Sequence, residues 1–144
     1  MILRFLEILA VLFFSLLGGL LWGLGAFPAS YLVTQLWDTV MAYEPMIRVL
    51  MVGLLFGVSI MIWILSFVIL IALIGFIFPL KLREARVPYR SIATTKWIIV
   101  SFLHILGMKF VEWFQPSVIL NIYFSALGAK IGKGVRINTA RIWD

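Results

Sequence analysis

The most regular feature of the sequence is a pair of long stretches without a charged residue. No charge lies between Glu7 and Asp38, or between Arg48 and Lys81. Each stretch has more than the roughly 20 residues that an α-helix needs to cross about 30 Å of hydrocarbon. The pattern therefore predicts two transmembrane helices. The first apolar run also exceeds the core of a secretory signal peptide, so a retained helix is favoured over a cleaved leader.

Glycine and proline positions set the expected ends of these two helices. The first is predicted over about residues 3–26, because Gly25 and Pro28 follow and proline removes a backbone donor and clashes with the preceding turn. Pro45 is expected to open the second helix, since proline fits the first helical turn. Continued to about residue 78, that helix must tilt, bend or project from the bilayer.

Polar positions become more frequent after residue 80. Residues 81–127 are predicted to form a basic loop and two interfacial helices, at 92–114 and 117–127. Spacing of three and four places one mostly polar stripe on the first of them, formed by Ser101, His104, Met108, Glu112 and Gln115. Because only 12 residues separate Lys96 from Lys109, an in-plane helix with lysines reaching the headgroups is favoured, and a spanning helix stays open.

Composition supports a lipid environment. Apolar residues make up 64% of the 144 residues and charged residues 12%, against roughly 45–50% and 25% in globular chains. A soluble globule of this size would expose large apolar patches. The absence of cysteine excludes disulfides, thiolate metal sites and cysteine nucleophiles.

The net positive charge of the chain lies in its second half. Residues 80–144 hold ten Lys and Arg and three acids, whereas residues 1–79 have a net charge of −1. The cations expected at the membrane surface follow the second span directly; they are Lys81, Arg83, Arg86 and Arg90. The positive-inside rule then predicts a multi-pass protein of the cell membrane with both termini in the cytoplasm. Nucleic acid is not expected as a partner, because the charges form no compact stripe.

Two pairs of glycines have the spacing of helix-packing steps. Gly19 and Gly23 lie in the first predicted span, and Gly53 and Gly57 lie in the second. Such steps let helix backbones approach closely in lipid. Because both pairs are predicted near the outer ends of their helices, they are expected to pack in an antiparallel pair or to mediate oligomers.

Candidate catalytic chemistry is sparse. His104 is the only histidine, and Glu112 lies two turns further along the same predicted stripe. The pair suggests a proton relay or half a metal site, but two ligands are too few to hold a metal. A polar stripe facing water, headgroups or another helix is the favoured interpretation. No catalytic residue, metal or cofactor is predicted.

The C-terminal residues follow a different period. Ile131 and Ile137 are six residues apart, and Gly132 follows the first of them. A six-residue period with one aliphatic position is typical of a parallel β-helix, in which glycine suits the tight corners. Residues 128–144 are therefore predicted to begin a β-helix, with its first positions at Gly128, Ile131, Gly132, Val135 and Ile137.

This C-terminal stretch resembles a known family. Leu127-Gly-Ala-Lys-Ile-Gly132 looks like the opening of the left-handed β-helix in hexapeptide-repeat acyltransferases. Together with Val87-Pro-Tyr-Arg-Ser91, Lys96-Trp97 and the lead-in from Asn121, it is similar to the membrane-to-β-helix junction of one subgroup. That subgroup includes the terminal membrane region of ε-poly-lysine-type nonribosomal peptide synthetases and related membrane acetyltransferase-like proteins.

The resemblance covers about residues 80–144 and implies an acyltransferase setting. In such enzymes the acyl donor lies between β-helices of neighbouring subunits, and a histidine from a later coil is the general base. This chain carries about two hexads and no histidine in them, while His104 matches no catalytic position of the family. No catalytic residue is carried over.

Taken together, the sequence predicts a mainly α integral membrane protein. Its parts are a two-helix transmembrane region (1–80), a basic loop with interfacial amphipathic helices (81–127) and a short left-handed β-helix start (128–144). The expected function is the membrane-anchoring portion of an acyltransferase-like protein, not catalytic on its own. The alternative is a small accessory subunit of a larger membrane complex. The lipid bilayer and further copies or other membrane subunits are the expected partners, and a transporter is weaker because neither span carries a polar pathway.

Overall fold

The computed structural model describes residues 2–78, 88 and 91–139, with the backbone alone for residues 2–7. Four α-helices make up most of this part: α1 (Ile2–Met41), α2 (Pro45–Ile77), α3 (Ile92–Val111) and α4 (Val118–Ala126), with a 3-10 turn at Glu112–Phe114. None of the described residues is in a strand. The predicted mainly α class is confirmed for these residues.

The first helix is much longer than the sequence predicts. α1 contains 40 residues and includes Pro28 in its interior, so the predicted end before Pro28 is wrong. Proline costs a helix one backbone hydrogen bond, but apolar helices of the transmembrane type tolerate it because neighbouring groups satisfy the freed carbonyl. At 1.5 Å per residue, α1 is about 60 Å long.

A tight connection joins α1 to α2. Pro45 opens α2, as predicted. The Arg48 side chain donates from both Nε and Nη2 to the backbone oxygen of Tyr43, at 3.2 and 2.9 Å. This arginine therefore satisfies a carbonyl at the turn between the two helices.

Serine caps define the two later helices. Ser91 accepts a hydrogen bond from the backbone N–H of Thr94 at 3.2 Å, and Ser117 accepts one from Ile119 at 3.2 Å. Such caps satisfy N–H groups that have no partner within the helix. The helices predicted at 92–114 and 117–127 are confirmed.

Three helices are long and apolar enough to cross a membrane: Ile8–Met41, Pro45–Ile77 and Ile92–Phe114. The third meets the same length and composition requirement as the other two. The predicted count of two spans therefore stays a prediction, while the presence of apolar helices of spanning length is established.

The chain divides into two compact units within α2. The hairpin unit comprises residues 1–67 and the C-terminal unit residues 68–144. Buried apolar side chains of the hairpin unit are Leu21, Ala29, Val40, Leu55, Ile64 and Phe67. Those of the C-terminal unit are Val68, Ile71, Leu103, Val111, Leu120, Tyr123, Phe124 and Leu127.

Candidate functional site

The four glycines predicted to pack helices do not meet within the hairpin unit. Among the described residues, no atom of another segment would lie within 4 Å of a Cβ added to Gly19, Gly23, Gly53 or Gly57, and all four residues are exposed. The two steps therefore leave open faces on α1 and α2, and an antiparallel pair built on them is not formed. Their predicted role in oligomers stays a prediction.

The register of the hairpin explains why these steps miss each other. Trp22 packs edge-on against Trp63 with ring centroids 5.9 Å apart, and it contacts Phe67 at 6.2 Å. Gly57 lies ten residues before Phe67 on α2, which is about 15 Å along the helix axis. Because α1 continues to Met41, the turn between the helices comes later than predicted. The two glycine pairs therefore lie at different positions along the helix axes.

A different line of buried residues, three of them small, makes the close approach. Gly18, Leu21, Gly25 and Ala29 are buried on one side of α1. A Cβ on Gly25 would lie 2.7 Å from Cδ2 and 3.2 Å from Cα of Phe67. The spacing of seven between Gly18 and Gly25, and of four to Ala29, is the sequence signal for this stripe. Gly19 and Gly23, which were predicted to pack instead, lie on another, exposed face of α1.

The polar stripe predicted on α3 is divided between two environments. His104 is buried, whereas Ser101, Met108 and Glu112 are half-buried. Exposed Trp97, Ile98 and Ile105 occupy other positions on this helix. Gln115 is half-buried as well, so His104 is the one member of the predicted stripe that is fully buried in the C-terminal unit.

His104 meets the aromatic residues of α4. The hydroxyl of Tyr123 lies 3.5 Å from Nδ1 of His104, and the ring of Phe124 lies 5.4 Å from the imidazole, centroid to centroid. His104 is 8% exposed and Tyr123 is 1% exposed. Burial raises the pKa of the Tyr123 hydroxyl above its ordinary value, because the charged phenolate would lose its hydration.

Gly107 provides the space for this tyrosine. A Cβ at Gly107 would lie 2.5 Å from the Tyr123 hydroxyl oxygen. Among the described residues there is no group of three or more metal-ligating side chains. The histidine–tyrosine contact therefore joins α4 to α3 in the core of the C-terminal unit.

The end of α4 is a glycine cap of the Schellman type. Gly128 has a φ of 102°, its N–H donates to Ser125 at 3.0 Å, and the N–H of Ala129 donates to Phe124 at 2.9 Å. These two bonds satisfy the last carbonyls of the helix. Gly75 of α2 faces this end, since a Cβ there would lie 2.7 Å from the Ala126 oxygen. Gly128 thus ends a helix, at the position where the sequence predicts that the β-helix start begins.

The residues after this cap, 129–139, form an irregular segment that we term the tail. It turns at Lys133-Gly134, where glycine has a φ of 77°. The side-chain amide of Asn121 in α4 donates to the backbone oxygen of Val135 at 2.7 Å. One side chain of α4 therefore holds the middle of the tail.

The tail shows the predicted six-residue pattern in its burial. Ile131 and Ile137 are half-buried, while the residues between them are exposed. Gly132 lies beside Val135, with ordinary contact between a Cβ and Cγ2 at 3.6 Å. Since no described tail residue is in a strand, the β-helix start stays a prediction.

The cations of the C-terminal unit are only partly described. Lys81, Arg83, Arg86 and Arg90, predicted to lie at the membrane surface, are outside the described residues. Those in the tail are exposed; they are Lys130, Lys133 and Arg136.

Comparisons of the chain with protein-family models, with curated proteins and with solved structures find no match. The resemblance to membrane-anchored hexapeptide-repeat acyltransferases therefore stays a prediction from the residues that carry it.

Proposed function

We propose that the chain is an integral protein of the cell membrane that anchors an acyltransferase-like β-helix at the cytoplasmic leaflet. The observation that carries this proposal is the fixed start of the tail. The glycine cap at Gly128, the bond from Asn121 to Val135 and the inward Ile131 and Ile137 give the chain one path as it leaves α4. A β-helix continued from that path would have its orientation set by α4.

In this proposal α1 and α2 cross the bilayer, and α3 with α4 lies in its surface. Charge supports the arrangement, because α3 is preceded by the basic loop and α4 is followed by the basic tail. A crossing α3 would put these two basic segments on opposite sides of the membrane. The positive-inside rule favours the same side for both. The packing of Tyr123 on His104 and Gly107 also turns α4 back along α3.

Single cysteines test the topology directly, because the natural sequence contains none. Tyr43→Cys, in the α1–α2 connection, is expected to react with an impermeant maleimide added outside intact cells. Lys133→Cys is expected to react only after the membrane is opened. Reaction of both cysteines from outside would contradict in-plane placement of α3 and α4.

The anchoring role also implies that the 144-residue chain has no transferase activity. The purified protein in lipid nanodiscs should release no free thiol from an acetyl or longer acyl thioester in the presence of amine acceptors. Acyl transfer by this chain would overturn the proposal that it is not catalytic on its own.

The alternative is a small accessory subunit of a larger membrane complex. The open glycine faces favour it, since a Cβ at Gly19, Gly23, Gly53 or Gly57 would meet no described atom of another segment within 4 Å. Small residues let partner helices approach. Stable co-purification with unrelated membrane subunits that is lost in Gly23→Leu or Gly57→Leu would support this function. Insertion without any stable partner would favour the anchor.

A further inference from the structure

The tail separates cations from aliphatic side chains. Lys130, Lys133 and Arg136 are exposed, whereas Ile131 and Ile137 are half-buried. The cations recur at every third residue, and no acidic residue lies between Glu112 and Asp144. The tail therefore exposes three positive charges, and no acidic residue in this part of the sequence offsets them.

Contacts within the C-terminal unit set the depth of the tail. The end of α4 lies against Gly75 near the end of α2. The next residues of α2, Phe76 and Ile77, are 79% and 66% exposed, so hydrocarbon is the medium that suits them. Lys130 follows Ala126 by four residues, a reach of at most about 14 Å. If the end of α2 marks the hydrocarbon boundary, as the proposed membrane location implies, the tail begins within about 14 Å of that boundary.

We propose that the tail binds anionic phospholipid headgroups through Lys130, Lys133 and Arg136. The inference rests on the proposed membrane location and identifies the lipid class that the anchor selects. The phosphate of such headgroups accepts hydrogen bonds from lysine and arginine. Neutral phosphatidylcholine carries a choline cation that offsets its phosphate, so an anionic lipid is the better match for three cations.

The bond from Asn121 makes this surface persistent. By holding the Val135 oxygen, Asn121 fixes the chain between Lys133 and Arg136. A fixed segment loses less conformational freedom on binding than a flexible one. The lipid contact is therefore a property of the folded C-terminal unit and not only of net charge.

The test uses the whole chain in lipid nanodiscs. Val135→Cys supplies one thiol in a sequence that has no cysteine, and the exposed side chain accepts a fluorophore. Quenching by a nitroxide on a lipid headgroup reports contact of the tail with the bilayer. Discs of phosphatidylcholine alone are compared with discs that also contain phosphatidylglycerol. We expect quenching to rise in the anionic discs and to fall again at high salt, because salt screens the contact.

The deciding variant adds Lys130→Gln, Lys133→Gln and Arg136→Gln to this background. Since each cation near an anionic surface changes binding by about fivefold, we expect the ratio of bound to free tail to fall at least about tenfold. The matched control, Lys130→Arg with Lys133→Arg and Arg136→Lys, keeps the charge and should keep the quenching. Helical circular dichroism should be the same for all three proteins.

Each outcome separates the inference from the proposed function. A protein that enters the discs but shows the same quenching with neutral and anionic lipid overturns the inference and leaves the membrane location intact. A protein that does not enter the discs overturns the membrane location itself. A third outcome is quenching that is independent of lipid charge but changes with the number of protein copies per disc. That result would show that the tail contacts another protein chain instead of lipid, and it also overturns the inference.

Discussion

Both units bring helices together at glycines, but the groups that approach the glycine differ. In the hairpin unit, Gly25 receives the ring of Phe67, which is apolar and belongs to a side chain. In the C-terminal unit, Gly107 receives the hydroxyl of Tyr123 and Gly75 receives the backbone oxygen of Ala126. The hairpin unit resembles a lipid-solvated helix pair, in which close packing provides the contact. The C-terminal unit adds polar groups that need a defined partner.

This difference predicts how much an added methyl group at each glycine lowers the free energy of unfolding. A side chain can rotate away from it, whereas a backbone oxygen can move only with its helix. Glycines with open space around them serve as controls. Alanine at these positions only raises the helix propensity, which stabilises the helix by up to about 1 kcal/mol.

The largest effect is expected for Gly75→Ala. Its Cβ would lie 2.7 Å from the Ala126 oxygen and 3.1 Å from the Ala126 carbonyl carbon, so α4 must move. We expect a loss of about 3 kcal/mol in the free energy of unfolding, the upper part of the range for overpacking. Unfolding in mixed detergent micelles measures it. Gly57→Ala, on the same helix and in open space, should not be destabilising; equal losses in both variants would refute the assignment of this contact.

A smaller loss is expected for Gly25→Ala in the hairpin unit. The added Cβ meets Cδ2 of Phe67 at 2.7 Å, and rotation of that ring relieves part of the overlap. We expect a destabilisation of about 2 kcal/mol in the same assay. Gly23→Ala is the matched control two residues away, and a loss there of similar size would show that the wrong face of α1 had been assigned to the core.

Gly107→Ala tests the polar contact of the C-terminal unit. Its Cβ would overlap the Tyr123 hydroxyl, the far end of a side chain, so we expect a loss of about 1–2 kcal/mol. Tyr123→Phe removes the overlapping atom. The double variant Gly107→Ala with Tyr123→Phe should therefore lose less stability than the sum of the two single variants, and strict additivity would contradict the contact.

The smallest effect on global stability is expected for Asn121→Ala. It removes the hydrogen bond to the Val135 oxygen, worth about 1 kcal/mol. The local effect is larger than the global one, because the middle of the tail loses its attachment to α4. Trypsin should cleave after Lys133 and Arg136 severalfold faster, while the control Ile122→Ala, at an exposed neighbouring position, should leave the rate unchanged.

Much of the helical structure follows from local sequence. Absence of charge over long stretches predicted α1 and α2, and Pro45 predicted where α2 begins. These features depend on a few neighbouring residues and on backbone donors and acceptors. The end of α1 did not follow, because whether Pro28 stops a helix depends on the groups around it as well as on the proline.

The packing contacts were much less predictable. Which glycines meet another helix depends on the register of the hairpin. The end of α1 lies about 15 residues later than predicted, so the glycine pairs expected to face each other are offset along the helix axes. Gly128 illustrates a second limit, since glycine after an apolar segment suits both a helix cap and a β-helix corner. The bond from Asn121 to Val135 joins residues 14 apart and has no local pattern that predicts it.

If α2 crosses the bilayer as proposed, its length has a consequence for the lateral distribution of the protein in the membrane. Its 33 residues make a rod of about 50 Å, longer than the roughly 30 Å of an average hydrocarbon core. Tilting relieves this excess at a cost of a fraction of a kcal/mol per Å. Long-chain lipids reduce that cost, so in a bilayer of mixed thickness we expect the protein to concentrate in the thicker domains.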